Sequence, residues 1–162
     1  KFPKAQIIYY EGNHEIRLNR YIFQHAPALF GIETITLATL LEFHKTNVQF
    51  VDNGTGLKIG SLHLLHGNEA GCRGGINIAR TMLLKTNDNC AFGNFHKTQS
   101  HSGRNLDNGE FVNFAIGCLC GLKPRYLPIN SWNLGFATVE LFKNEFDFQN
   151  KRILANYNVR SN

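Results

Sequence analysis

Apolar residues recur in this chain in short bursts, and their spacing changes along it. Residues 6–10 form a continuous β-branched and aromatic run closed by Glu11-Gly12, which predicts a buried strand entering a loop. From Glu15 onward Ile16, Tyr21, Ile22 and Phe23 interleave with Arg17, Asn19, Arg20 and Gln24 in a helical pattern, which Pro27 and Gly31 interrupt. A second helix is expected over residues 33–44, carrying Ile35, Leu37, Leu40 and Leu41.

Residues 48–51 and 57–59 have strand character and flank the turn-rich Asp52-Asn-Gly-Thr-Gly56, a combination that predicts a hairpin. A strand over 61–66 then ends at His66-Gly67. The glycine-rich loop 68–75 follows and opens a helix over 76–86, where Ile78, Met82 and Leu83 recur near helical spacing. Residues 89–92 predict a further strand, followed by the polar loop 93–99. Residues 111–120, 135–142 and 146–154 read as antiparallel strands, and Leu106-Asp-Asn-Gly-Glu110 reads as a turn. Strand–helix units first and antiparallel strands later predict an α/β layered domain with helices outside. With neither an internal repeat nor a low-complexity linker, residues 1–162 read as a single domain.

Composition narrows this picture. Hydrophobic residues make up 43% of the chain and charged ones 18%, with thirteen Phe, the balance of a packed protein and too apolar for a disordered one. The longest apolar stretches, such as Thr36 to Leu41, fall far short of the ~20 residues a membrane helix needs, so no span is expected. The start lacks both Met and the pattern of a signal peptide, and reads as a trimmed, processed or incomplete chain of a cytoplasmic protein. A formal net charge of +5 favours anionic partners, a phosphorylated substrate or nucleic acid among them, although the basic residues form no tail. Cys72, Cys90, Cys118 and Cys120 are too few for a disulfide framework and read as reduced thiols. Cys118 and Cys120 are taken as packing residues. Soft-metal ligation is the alternative, without a second Cys or His pair at zinc-finger spacing.

Candidate chemistry gathers on three loops, each after an expected strand: Asn13-His14, His66-Gly67 and Gly93-Asn-Phe-His96. Loops at the carboxyl ends of strands are where sites assemble in open α/β sheets, because the sheet brings distant residues onto one rim. Imidazole nitrogen with amide or carboxylate oxygen suits borderline metals, which activate water and neutralise phosphate. The plain reading of Gly12-Asn13-His14-Glu15 is a turn with Asn as a helix cap and Glu favouring the helix dipole. It leaves the two later loops unexplained. The glycines at 71, 74 and 75 carry no phosphate-loop order, and His25, His44, His63 and His101 read as surface or packing residues.

Together, Gly12-Asn13-His14-Glu15 with the helix after it, His66-Gly67, the Gly74-Gly75 helix start, Gly93-x-x-His96 with Gln99, and Trp132-Asn-Leu-Gly-Phe136 resemble the calcineurin-like metallophosphoesterases, phage and bacterial members above all. The resemblance implies a layered α/β/β/α sandwich, incomplete at its N-terminus, that hydrolyses phosphomonoesters or phosphodiesters with two divalent metal ions (Mn, Zn, Fe or Ni). By position it implies that Asn13 and His66 bind one metal and His96 the other. His14 would act on the substrate as the catalytic residue, and Arg17 could touch substrate from the following helix. Two departures stand out. The family's Asp-x-His and Gly-Asp-x-x-Asp motifs do not precede Gly12, so an upstream segment or another chain would have to supply them. Asn94 stands where the family has a histidine ligand, and would offer its oxygen instead. The alternative is a noncatalytic module that keeps the fold after losing its metals.

Overall fold

The computed structural model describes residues 4–72 and 74–161; Arg73, inside the glycine-rich loop, lies outside them. The chain divides into two compact units, residues 1–55 and 56–162. The first is built on two short parallel strands, β1 (Ile7–Tyr10) and β2 (Val48–Val51), in register from Ile7 opposite Val48 to Tyr10 opposite Val51. The helix α1 (Arg17–His25) follows β1. Tyr9, Phe43 and Phe50 cluster beside the strands, with ring centroids 5.2 to 6.1 Å apart.

The second unit is layered. Its main sheet runs in the order β3 (Leu57–Ile59), β4 (Leu62–Leu65), β5 (Cys90–Phe92), β7 (Glu110–Ala115) and β6 (Gln99–Arg104). The three central strands β4, β5 and β7 are parallel, and the edge strands β3 and β6 are antiparallel to their neighbours. The helix α3 (Ile78–Thr86) covers one face; the short helix α2 (Leu37–Leu40) belongs to the first unit. Ile78 and Met82 of α3 pack on Phe92 and Ala115 to form the core. Burying each of the larger side chains contributes about 1.5–3 kcal/mol. A second sheet, β8 (Gly135–Phe142), β9 (Glu145–Ile153) and β10 (Val159–Ser161), covers the other face. Phe114 makes that contact: its ring stacks on Phe148 at 4.0 Å and meets Phe146 edge-on at 6.3 Å.

Alternation along β7 explains the layering, since successive side chains point to opposite faces. Asn113 and Ala115 are fully buried, while Phe114 between them meets the second sheet. The Asn113 amide is satisfied within the core, donating to the Asp88 carbonyl at 2.7 Å and exchanging with the Thr86 hydroxyl. The amino end of α3 is closed twice. Asn77 accepts from Arg80 N–H, and Gln99 of β6 accepts from Ile78 N–H at 2.8 Å, so two of the helix's unpaired donors find partners. At the opposite end of the sheet, β6 and β7 are joined by a turn in which Asn105 accepts from the N–H groups of Asp107 and Gly109. Arg104 and Glu110 pair across the base of that turn.

Several local expectations give way to tertiary pairing. Residues 48–51 and 57–59 form no hairpin: β2 pairs with β1, and β3 with β4. The intervening turn is drawn to the end of β1, where the Glu11 carboxylate accepts from Asn53 N–H and the Glu11 carbonyl accepts from the Asn53 side chain. The strand β1 is not buried, because Ile7 and Ile8 remain 48% and 37% exposed. The expected helix over 33–44 is broken into short turns. Thr36 is extended at φ −75°, ψ 153° and caps α2, and Glu42 is left-handed at φ 55°, each of which ends a helical run. Strand β6 and the short strand β10 lie where the sequence showed no clear period. Among the described residues no helix is long and apolar enough to cross a membrane.

Candidate functional site

Registers of the main sheet place three loops on one rim. Leu65 lies opposite Phe92, and Phe92 opposite Ala115, so the chain leaves β4, β5 and β7 at the same edge. His66-Gly67 follows β4, Gly93-Asn94-Phe95-His96 follows β5, and Gly117-Cys118 comes two residues after β7. Gly93 donates its N–H to the His66 carbonyl at 3.0 Å, and Ile116 donates to the Phe92 carbonyl at 2.9 Å. Each bond continues the ladder beyond the strands and holds neighbouring loops together.

Each loop is also fixed from within. Both oxygens of the Glu69 carboxylate accept backbone donors, His66 N–H at 2.8 Å and Gly67 N–H at 2.6 Å. Gly67 sits at φ 117°, and a Cβ there would lie 3.2 Å from Asn94 Cβ and 3.3 Å from Phe92, so only glycine lets the first two loops approach this closely. Asn94 and His96 are both left-handed, at φ 51° and 58°. That conformation is sparsely populated for residues with a Cβ and concentrates at ligand-binding positions.

The Trp132–Gly135 segment ties the second loop to the third. Asn133 donates its N–H to the His96 carbonyl at 2.9 Å, and its carbonyl accepts from Cys118 N–H at 2.9 Å. Its side-chain oxygen takes Thr98 N–H at 2.7 Å, and its side-chain nitrogen donates to Thr98 Oγ1 at 2.7 Å. Gly135 N–H returns a bond to the Cys118 carbonyl. The Trp132 ring meets the His96 imidazole edge-on, centroids 4.1 Å apart.

These bonds bring His96 beside two thiols. The Nδ1 of His96 lies 3.7 Å from Cys120 Sγ, and one ligand atom each from His96, Cys118 and Cys120 lie within 4.8 Å of one another. Cys118 is buried and Cys120 exposed. Burial raises the Cys118 thiol above its ordinary pKa, and its Sγ also lies 3.6 Å from the Asn133 carbonyl. Among the described residues no other convergent group of three or more His, Cys, Asp or Glu side chains is found. A dinuclear centre bridged by carboxylate does not fit these donors, which offer nitrogen and sulfur and no carboxylate.

A groove of about 270 Å³ opens on this rim, lined by Asn94, Phe95, Lys97, Ile129, Asn130 and Trp132 among others. Lys97 spans it to the Gly75 carbonyl at 2.8 Å. The larger groove, about 480 Å³ and lined by Asn89, Glu110 and Glu145, lies at the opposite end of the parallel strands.

Of the residues singled out from sequence, His66, Asn94 and His96 belong to this rim. Asn13, His14 and Arg17 belong to the first unit, on the loop and helix that follow β1. There His14 and Arg17 are exposed and Asn13 half-buried. The helix cap falls at Ile16 and not at Asn13. Glu15 instead accepts a bond from the Tyr9 hydroxyl at 3.1 Å; burial, then the Glu15 charge, pushes the Tyr9 pKa up. The placement of Cys118 and Cys120 beside His96 is the one least expected from a sequence in which both read as packing residues. Their two-residue spacing is the visible signal, and their third neighbour comes from the loop after a different strand, β5.

No protein-family model matches the chain, and no curated protein matches it. Among solved structures it is similar to Vps29 from Entamoeba histolytica. A single mutant of that protein matches with 14% identity and a TM-score of 0.44 over 71% of this chain and 67% of that one. The wild-type protein complexed with zinc matches with 13% identity and a TM-score of 0.41 over 72% and 63%. A double mutant matches with 13% identity and a TM-score of 0.40 over 96% and 94%. At these distances the likeness assigns neither an activity nor a ligand.

Proposed function

We propose that this chain is a metal-dependent phosphoesterase domain, hydrolysing phosphomonoesters or phosphodiesters at the rim formed by the ends of β4, β5 and β7. The observation that carries the reading is the alignment of His66 and the Gly93–His96 loop at the carboxyl ends of adjacent parallel strands, locked by the Gly93 to His66 backbone bond. The motif resemblance supports it, because those two loops are the ones on which the metallophosphoesterases carry ligands. In this reading His66 and Asn94 hold one metal and His96 the other; for Asn13, His14 and Arg17 the motif resemblance alone implies, in that order, a metal ligand, the residue facing the reacting phosphoryl group and a substrate contact. The metals, of the Mn, Zn, Fe or Ni class, would supply an activated water and neutralise phosphate charge. The carboxylate ligands that the resemblance implies would have to be supplied by an upstream segment or by another chain.

A second reading, a noncatalytic module of the same fold, is favoured by two observations. Asn94 replaces a stronger imidazole ligand, and the donors that do converge are thiols and not carboxylates. Hydrolysis of a generic phosphodiester and monoester, with metal content measured in parallel, decides between the two. The expected result is metal-stimulated turnover that falls in His66→Ala. Equal activity and equal metal content in both proteins would remove His66 from the site. Neither metal uptake nor turnover would favour the noncatalytic module.

A further inference from the structure

We propose that His96, Cys118 and Cys120 form a zinc site of their own chemistry, a nitrogen–thiolate centre at the meeting point of the β5 and β7 loops. It rests on the phosphoesterase reading only in sharing His96, and gives that residue a different ligand set.

Geometry is the first support. A tetrahedral zinc with Zn–S near ~2.3 Å and Zn–N near ~2.0–2.1 Å has edges of about 3.8 Å between two sulfurs and about 3.5 Å between sulfur and nitrogen. His96 Nδ1 and Cys120 Sγ are 3.7 Å apart, close to that edge, and all three ligand atoms lie within 4.8 Å. Side-chain adjustments on the order of 1 Å close the cage around a metal.

Scaffolding is the second. His96 is held by its left-handed backbone, by the bond from Asn133 N–H to its carbonyl and by the Trp132 ring. Cys118 is held on both sides, its N–H by Asn133 and its carbonyl by Gly135. A Cβ on Gly117 would lie 2.7 Å from the Asn133 carbonyl, so the third loop can approach only because that position is glycine. Two of the three donors, His96 and Cys118, therefore come from held backbone, and Cys120 is the exposed member that leaves a fourth position open to solvent or substrate.

Ligand softness is the third. Two thiolates and an imidazole select zinc over manganese or magnesium, which prefer oxygen. The neighbouring Asn94 is an oxygen donor, but its side chain does not change that preference.

Cobalt(II), bound to the full chain under reducing conditions, is the probe. The wild-type protein is expected to bind cobalt(II) with the near-ultraviolet thiolate-to-cobalt charge-transfer band, which zinc abolishes by displacement. Cys120→Ser, at an exposed position that does not threaten folding, should lose much of the band and weaken zinc binding by about 100-fold or more. Cys72→Ser and His66→Ala should keep the band. Its absence from the wild type, its survival at full strength in Cys120→Ser, or its loss in His66→Ala would each overturn the assignment. The phosphoesterase reading fails separately: an intact band with no hydrolysis removes that reading and leaves the zinc site standing, and hydrolysis with no band does the reverse.

Discussion

Asn133 and Thr98 are joined by both ends of one amide, with Oδ1 accepting Thr98 N–H at 2.7 Å and Nδ2 donating to Thr98 Oγ1 at 2.7 Å. Removing the amide strands a half-buried backbone donor, whereas removing the hydroxyl does not. Asn133→Ala should therefore cost about 2–3 kcal/mol and Thr98→Ala about 1 kcal/mol. Urea unfolding of the two variants checks the order, and a larger loss in Thr98→Ala would show that the backbone bond is not the important one.

Gly117 and Gly121 flank Cys118 and Cys120 but differ in what surrounds them. A Cβ at Gly117 meets Asn133 Nδ2 and carbonyl at 2.7 Å, and one at Gly121 meets nothing within 4 Å. Gly117→Ala should cost about 3 kcal/mol or more because backbone must move, and Gly121→Ala should stay within about 0.5 kcal/mol. Thermal unfolding of both proteins is the measurement, with equal melting temperatures the result that would contradict the packing described.

Among the described residues Asn113 is the largest fully buried polar side chain, and its amide serves Asp88 and Thr86 in the α3 layer. Asn113→Ala leaves the Asp88 carbonyl without this donor in the core and should destabilise the second unit by about 1–3 kcal/mol. Hydrogen exchange should then report faster opening of α3. Unchanged protection there would mean that water replaces the amide.

Thiol chemistry should separate the cysteines. Burial raises the pKa of Cys90, with Thr86 opposing and Asp88 adding to the shift, and burial likewise raises Cys118. A raised pKa means less thiolate at pH 8, and thiolate is the form that alkylates. Exposed Cys120 should react with iodoacetamide first and buried Cys90 last in the folded protein, as read by peptide mass spectrometry. Comparable rates at the two positions would contradict their burial.

Most of the second unit was legible in the sequence because its signals are local. The period of Ile78, Met82 and Leu83 marks α3, the apolar run at residues 90–92 marks β5, and the long antiparallel pair β8–β9 follows from apolar clusters between turn signals. What escaped depends on partners remote in sequence. The strand β2 chose β1 over its neighbour β3, and Thr36 and Glu42 cut a helix whose apolar spacing looked continuous. His66 and the Gly93–His96 loop were legible as strand-end features. The approach of His96 to Cys118 and Cys120 was not, because the bonds of Asn133, 37 residues beyond His96, create it.

The turn joining β6 to β7 lies at the amino end of β7, whereas the loops that carry His66, His96 and Cys118 leave the sheet at its carboxyl end. Its own hydrogen bonds, made by Asn105 to Asp107 and Gly109, close it without help from the core. The molecule thus carries a built-in handle: a fluorophore, a tether to a surface or an inserted peptide at Asp107 would hold the protein with its chemical rim facing away from the point of attachment.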